Sequence, residues 1–228
     1  MKLCRVALGA VAALALGAVA TSASAGGDLK GDYRASSSIW TGAYWGVHLG
    51  GGASNIDWLF TPVNNTRADQ SGDGVVGGFH LGYNWQLSSL VLGIEGSATL
   101  SGINGGRLCP NATFRCEHEN DFLGSVRGRL GVAVGPALFY GTGGVGFQRA
   151  DYAVRNATTG VVLVSSGRST DIGWVAGGGL EYAITKQVSA RLEYLHYDFG
   201  DKSFEGLVET IKLDSTVDTV TVGLSVKF

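Results

Sequence analysis

The sequence predicts an all-β chain that closes into a transmembrane antiparallel up-and-down β-barrel of eight strands, with short periplasmic turns and long external loops. Three observations predict it. Val220-Thr-Val-Gly-Leu-Ser-Val-Lys-Phe228 alternates apolar with small or polar residues and stops on an aromatic, which suits a strand with one face in lipid. Eight segments share this period of two, and the connections between them alternate long and short. Gly is abundant at 37 residues and Pro scarce at 3, against usual shares of about 7% and 5%; Gly interleaved with aromatics suits tightly curved strands.

The first residues read as an export signal. Met1 to Ala25 carries Lys2 and Arg5, an uncharged apolar run from Val6 to Ala20, and Ala23-Ser24-Ala25 in the pattern of a signal-peptidase site. The expected organisation is a cleaved signal peptide over 1–25, a periplasmic tail over 26–39 and an outer-membrane barrel domain over 40–228. Cys4 precedes the apolar run, which argues against a lipid anchor there. Without this segment the basic count falls from 17 by Lys2 and Arg5, against 19 acids. A mildly acidic chain is a poor partner for nucleic acid. Beyond residue 25 no stretch has the roughly 18 consecutive apolar residues of a membrane helix, so a membrane location leaves only a closed barrel, in which every backbone polar group is paired.

The eight segments are Ala43 to Ala53, Val75 to Gln86, Leu90 to Ser101, Asp121 to Val134, Ala137 to Arg149, Asp171 to Tyr182, Val188 to Phe199 and Thr216 to Phe228. Each is near or above the 9 to 11 residues, roughly, that a tilted strand needs to cross a bilayer. Long connections (Ser54 to Gly74, Gly102 to Asn120, Ala150 to Thr170, Gly200 to Ser215) alternate with short ones (Leu87-Ser88-Ser89, Gly135-Pro136, Ala183 to Gln187). That rule and the even count put both chain ends on the periplasmic side, and the last segment must pair with the first to close the wall.

Facing strengthens the reading. One face of each strand is apolar and uncharged, as in Trp45/Val47/Leu49, Phe79/Leu81/Tyr83/Trp85 and Leu90/Leu92/Ile94. Charged and polar residues, including His48, His80, Glu95, Arg127, Arg129, Glu181, Arg191 and Glu193, occupy the other face. A water-soluble barrel would be inverted, so the charged set belongs in the lumen. Aromatics at strand ends, Trp40, Tyr44, Trp45, Tyr83, Trp85, Phe139, Tyr182 and Phe228 at one end and Phe122, Phe147, Tyr152, Trp174, Tyr197 and Phe199 at the other, are expected to form two interfacial girdles.

Glu95, Glu181 and Glu193 balance Arg127, Arg129 and Arg191. Eight strands enclose a space about filled by side chains, so a paired Glu/Arg network there is expected to plug the lumen, with a narrow ion path gated by rearrangement of those pairs as the alternative. Cys109 and Cys116 lie in the polar stretch Arg107 to Asn120, where an oxidising compartment favours a local disulfide. With His118 they make an incomplete zinc set, and no metal or cofactor is expected.

Other signals look chemical without the context that chemistry needs. Gly141-Thr-Gly143-Gly-Val-Gly146 spells the dinucleotide fingerprint but falls mid-strand with no helix after it. The triplets at Asn64, Asn111 and Asn156 read as polar loop residues. A lipid A modifying enzyme would need Ser, His and an acid at the outer rim; His196 with Asp198 is the candidate, and Tyr197 rather than Ser stands beside it. No catalytic set assembles from the strand map. His48 and His80, inward and mid-strand, are expected to be satisfied by lumen hydrogen bonds.

Taken in order, Trp40-Thr-Gly-Ala-Tyr-Trp-Gly46, Gly82-Tyr-Asn-Trp85, Gly93-Ile-Glu-Gly96, Arg127-Gly-Arg-Leu-Gly131, Tyr140-Gly-Thr-Gly-Gly-Val-Gly146, Gly177-Gly-Gly-Leu-Glu-Tyr182, Arg191-Leu-Glu-Tyr194 and the terminal Phe228 resemble the small outer-membrane porin-like proteins of α-proteobacteria. This group is often labelled outer-membrane immunogenic protein or surface antigen, and shares its eight-stranded architecture with the OmpA membrane domain. The resemblance implies an integral, noncatalytic protein of a Gram-negative outer membrane, in contact with its lipids and lipopolysaccharide. Within the family some members are described as porins and others as haem-binding or adhesin-like. By the same resemblance, Val222, Leu224, Val226 and Phe228 look like the signal read by the outer-membrane assembly machinery. The oligomeric state, the solutes and any loop ligand are left open by the sequence.

Overall fold

The computed structural model describes residues 38–61, 66–108, 113–165, 169–205 and 210–228. The expected signal peptide, most of the expected tail, Cys109 and the side chains of Cys116 and His118 lie outside the described residues, as do Asn64 and Asn111.

The strands are β1 (Gly42–Thr61), β2 (Thr66–Leu87), β3 (Leu90–Leu108), β4 (Phe114–Val134), β5 (Ala137–Asn156), β6 (Val162–Ser165), β7 (Ser169–Ala183), β8 (Val188–Glu205) and β9 (Thr210–Lys227). Every pairing is antiparallel between neighbours, and β9 returns to β1 from Tyr44↔Lys227 to Thr61↔Thr210, which closes the sheet. Nine segments make eight staves. The short β6 pairs with Ala153–Arg155 of β5, beyond the point where β7 leaves it at Ala150↔Ser169.

Strand length departs from expectation. The stretches read as long external loops are largely ladder: β1 and β2 stay paired out to Phe60↔Thr66, and β4 and β5 to Phe114↔Asn156. The apolar alternation that locates a strand in sequence stops where lipid stops, whereas backbone hydrogen bonding continues in water without it. A 20-residue strand such as β1 is about 66 Å long, or about 45 Å high at the usual tilt, against an apolar band about 25 Å tall. The hairpins therefore stand well clear of the bilayer.

The register shifts at Leu100/Ile103, Asn120/Phe122, Asp198/Asp201 and, between β5 and β6, Val154/Arg155 lie on the long-hairpin side of the apolar belt. The extra residue at Asp121 reverses facing along β4, so that Asn120 points inward and is buried. At the other end, Ser88-Ser89 and Gly135-Pro136 are two-residue turns, with Ser88 at φ 59° and Gly135 at φ 58°, the left-handed first position that a primed hairpin turn uses.

The outer surface is apolar. Trp45, Val47, Leu49, Phe79, Leu81, Trp85, Ile94, Val126, Leu130, Phe139, Trp174, Leu192, Val220, Val222 and Leu224 are all exposed. A patch of this extent encircling a chain is a lipid contact.

Candidate functional site: the barrel lumen

Small residues make room for the lumen side chains. Tyr44 on β1 stands directly opposite Gly82 on β2, and Tyr140 on β5 opposite Gly179 on β7. A Cβ at Gly82 would lie 2.5 Å from the Tyr44 hydroxyl, and one at Gly179 lies 2.6 Å from that of Tyr140. Each glycine thus lets a phenol lie across the inner wall and reach the axis, where the two rings are 6% and 7% exposed.

Around them gather the six charges. Glu95, Glu181 and Glu193 come from β3, β7 and β8; Arg127 and Arg129 come from β4, and Arg191 from β8. All six are buried, Glu95 at 1% exposure and Arg127 at 2%. Glu95 is the hub. Arg191 grips it with two bonds, Nη1 to Oε2 at 2.9 Å and Nη2 to Oε1 at 3.1 Å. Arg127 Nη2 also donates to Oε1, Arg129 Nη1 lies 3.4 Å from Oε2, and the Tyr44 hydroxyl donates to Oε2 at 2.7 Å.

Two further carboxylates complete the network. Glu193 Oε1 accepts from Arg191 Nη2 at 2.5 Å and from the Tyr140 hydroxyl at 2.9 Å, and pairs with Arg127 Nη1 at 3.2 Å. Glu181 accepts from Arg129 Nη2 at 2.8 Å and from the Ser189 hydroxyl at 2.6 Å. Arg129 lies over the Tyr140 ring at 3.9 Å and donates to the Tyr44 oxygen at 2.8 Å, so its charge meets a π face as well as two carboxylates. Three cations and three anions interlock, with phenols at the junctions.

Apolar layers lie on both sides. Toward the short turns Trp40, Val91, Leu138 and Tyr140 pack together, with Ile39 against them. The segment entering β1 is held by Trp40 N donating to Gln86 Oε1 at 3.0 Å and by Lys227 Nζ donating to the Ile39 carbonyl. Toward the long hairpins Val76, Ile103, Leu123, Val175, Leu195, Tyr197, Phe199 and Val217 form a second cluster. Between this cluster and the charges is a small chamber bordered by His48 and His80. His48 Nε2 sits 2.9 Å from Thr99 Oγ1, His80 Nε2 2.9 Å from Ser225 Oγ, and the two Nδ1 atoms are 3.4 Å apart. Above the apolar cluster, Asn120, Gln148 and Asp171 form a last hydrogen-bonded layer.

Among the described side chains, which do not include that of Tyr152, the girdle expectation fails for four aromatics. Trp40, Tyr44, Tyr197 and Phe199 are buried in the lumen: the last three hold inward positions on their strands, which nearness to a strand end does not change, and Trp40, in the turn before β1, packs with Val91 and Leu138. Tyr44, Tyr140 and Ser189 are the network members that charge-based reading misses. The available signal is a Tyr whose cross-strand neighbour is Gly.

The rim candidate is also rearranged. His196 pairs with Asp218 of β9, Nδ1 to Oδ1 at 2.8 Å, and not with Asp198. Antiparallel register sets His196 opposite Asp218, a relation that proximity along the chain cannot show. The Asn156 triplet is a turn, its Oδ1 accepting from Thr158 N and Thr159 N at 2.9 Å each. In the fingerprint-like run, a Cβ at Gly144 would fall 2.1 Å from the Val126 carbonyl and one at Gly146 2.8 Å from the Tyr197 ring, so these two serve close approach, whereas at Gly141 and Gly143 it would meet only ordinary contacts at 3.9 and 3.6 Å. Among the described residues no three His, Cys, Asp or Glu side chains gather to hold a metal.

Comparison with known proteins agrees with this architecture. The family model described as outer membrane protein beta-barrel domain matches residues 11–228. The 31 kDa outer-membrane immunogenic protein of Brucella melitensis is 32% identical over 204 residues, covering 83% of this chain and 84% of that protein. The 22 kDa outer membrane protein of Rhizobium leguminosarum is 30% identical over 190 residues, with 82% and 79% covered. The crystal structure of OprG from Pseudomonas aeruginosa superposes with a TM-score of 0.51 at 12% identity, covering 82% of this chain and 97% of that one, a likeness of fold. The chain belongs to the outer-membrane β-barrel family, akin to the α-proteobacterial outer-membrane immunogenic proteins, and is an integral protein of the outer membrane.

Proposed function

We propose that this protein is a plugged barrel, a structural and surface-presenting element of the outer membrane that passes small solutes at low conductance at most. The observation that carries the reading is the closed Glu95–Arg127–Arg129–Glu181–Arg191–Glu193 network, with all six members buried and an apolar layer on either side. An ion crossing it would have to separate several charge-assisted pairs in a space that has shed most of its water, at a cost of several kcal/mol each. No catalytic role is assigned. Bilayer conductance of the refolded monomer tests the plug: brief or small events are expected, and a steady large conductance overturns it. Neutralising Arg127, Arg129 or Glu193 should raise the open fraction.

A second reading, ligand or host-surface binding at the external ends, is favoured by the hairpins. Ladders that continue to Phe60↔Thr66 and Glu205↔Thr210 present their tips on paired strands rather than on slack loops. Such binding should be lost when the β1–β2 tip is shortened and kept when the lumen charges are neutralised.

A further inference from the structure

We infer that the outer wall carries a docking site for the saccharide headgroup of an outer-leaflet glycolipid, built by Trp174, Tyr194, His196 and Asp218 where the apolar lane of β8 and β9 ends. These residues come from three adjacent strands, and all face away from the lumen. Trp174 is 50% and Tyr194 47% exposed, and the His196 and Asp218 side chains are about a third exposed. Asp218 Oδ1 accepts from the Tyr194 hydroxyl at 2.6 Å and pairs with His196 Nδ1 at 2.8 Å. The Trp174 and His196 rings are 5.4 Å apart. Both bonds fall on one carboxylate oxygen, so Oδ2 and the imidazole Nε2 are not consumed by the cluster.

Girdle physics accounts for Trp174 and Tyr194. It does not account for a carboxylate and an imidazole on the outward face of a membrane barrel, where ionisable groups are costly unless something satisfies them. The cluster's position names the kind of partner. Immediately toward the membrane on the same strands lie Leu192, Val220, Val222 and Leu224, all exposed, a lane fitted to acyl chains. A bilayer amphiphile offers tails to that lane and a headgroup to the cluster.

Charge selects the headgroup. The Tyr194–Asp218–His196 set is neutral or singly negative, and Asp198 stands opposite Trp174 one outward position farther along β8. A head offering only phosphate meets like charge here. Sugar hydroxyls and amides can donate to Asp218 Oδ2, bond to His196 Nε2 and lay a ring face on Trp174. The site rests on the outer wall, and its outcome is separate from whether the lumen conducts.

The test is lipid retention by the refolded full chain, read by native mass spectrometry, using purified lipopolysaccharide, phosphatidylethanolamine, phosphatidylglycerol and a delipidated core polysaccharide. D218N and H196A should each weaken lipopolysaccharide retention about tenfold, the equivalent of one lost charge-assisted hydrogen bond. Leu100→Asn, at an exposed outward site on β3 away from the cluster, should leave it unchanged. Delipidated polysaccharide should bind more weakly than the lipid. W174F should likewise weaken lipopolysaccharide retention, and it keeps the proposal testable by mass spectrometry should D218N fail to fold. Equal loss in L100N, unchanged retention in D218N and H196A, equal dependence of phospholipid on the cluster, or equal binding of the free polysaccharide would each overturn the assignment.

Discussion

Glu95→Gln should destabilise this barrel more than any other single-atom exchange in the lumen. Glu95 touches all three arginines, with Arg191 at 2.9 Å and Arg129 at 3.4 Å beside Arg127. At an effective dielectric near 20, each such contact is about 5 kcal/mol of gross attraction, offset by the desolvation of the groups involved. Removing the negative charge leaves three cations facing two anions and turns an amide NH2 toward guanidinium donors. The measured cost of stranding a buried charge is about 3–5 kcal/mol, a sizeable share of a total stability of about 5–15 kcal/mol. The assay is urea unfolding of refolded protein in micelles, followed by tryptophan fluorescence and by the heat-modifiable shift on gels. Arg127→Gln added to E95Q restores the charge balance, so the double variant should recover about 1–3 kcal/mol relative to the sum of the single losses. A loss below about 1 kcal/mol in E95Q, or strict additivity in the pair, would refute the interlocked network, because independent solvated charges would behave that way.

Other substitutions probe separate links of the same argument. Tyr44→Phe deletes a hydroxyl that bonds both Glu95 and Arg129 and should cost about 1–3 kcal/mol in the same unfolding assay. Gly82→Val places atoms within 2.5 Å of the Tyr44 oxygen and 2.6 Å of the Ile94 carbonyl; it should block refolding as judged by the gel shift. Ser88→Gly relieves a left-handed serine at φ 59° and should raise stability by about 0.5–1 kcal/mol, the conformational relief less the entropy of glycine. Deleting Phe228, whose amide bonds the Ala43 carbonyl at 2.9 Å and whose ring is exposed, should reduce insertion in cells more than folding in detergent. Equal loss in both settings would remove the assembly-signal reading.

What could be read from the sequence follows the solvent on each face. Strands were legible where one face meets lipid and the other meets polar partners, because the alternation is then enforced residue by residue, as from Val220 to Val226. They became illegible beyond Ala53 and before Val75, where the β1–β2 ladder persists but the outward face is no longer apolar: Asn55 is exposed there while the inward Ser54 and Ile56 stay buried. The lumen charges were legible because a charged residue in an apolar alternation has one place to go. The phenols were not: Tyr44 and Tyr140 satisfy the composition of a girdle as well as that of a core, and only cross-strand register with Gly82 and Gly179 tells the two apart. The same limit explains the His196–Asp218 pair. Its members are 22 residues apart and adjacent only because β8 and β9 are.

The apolar layers matter to the charges they enclose. Leu123, Val175 and Tyr197 above, and Trp40 and Leu138 below, limit water near Glu95, and a drier surrounding strengthens each ion pair while raising the cost of leaving any member unpaired. Balance is therefore a structural requirement of the bore, which sharply limits the lumen's freedom to evolve a binding site: each new charge would need a partner in a space with little room beyond the small chamber beside His48 and His80. The outer surface is under no such constraint. Its upper hairpins meet water, so variation there costs little stability, while its lipid-facing wall tolerates apolar exchange but not unsatisfied charge. On the readings proposed above, recognition falls to the hairpin tips and to the rim of the wall, where Trp174, Tyr194, His196 and Asp218 break the apolar belt without disturbing the core.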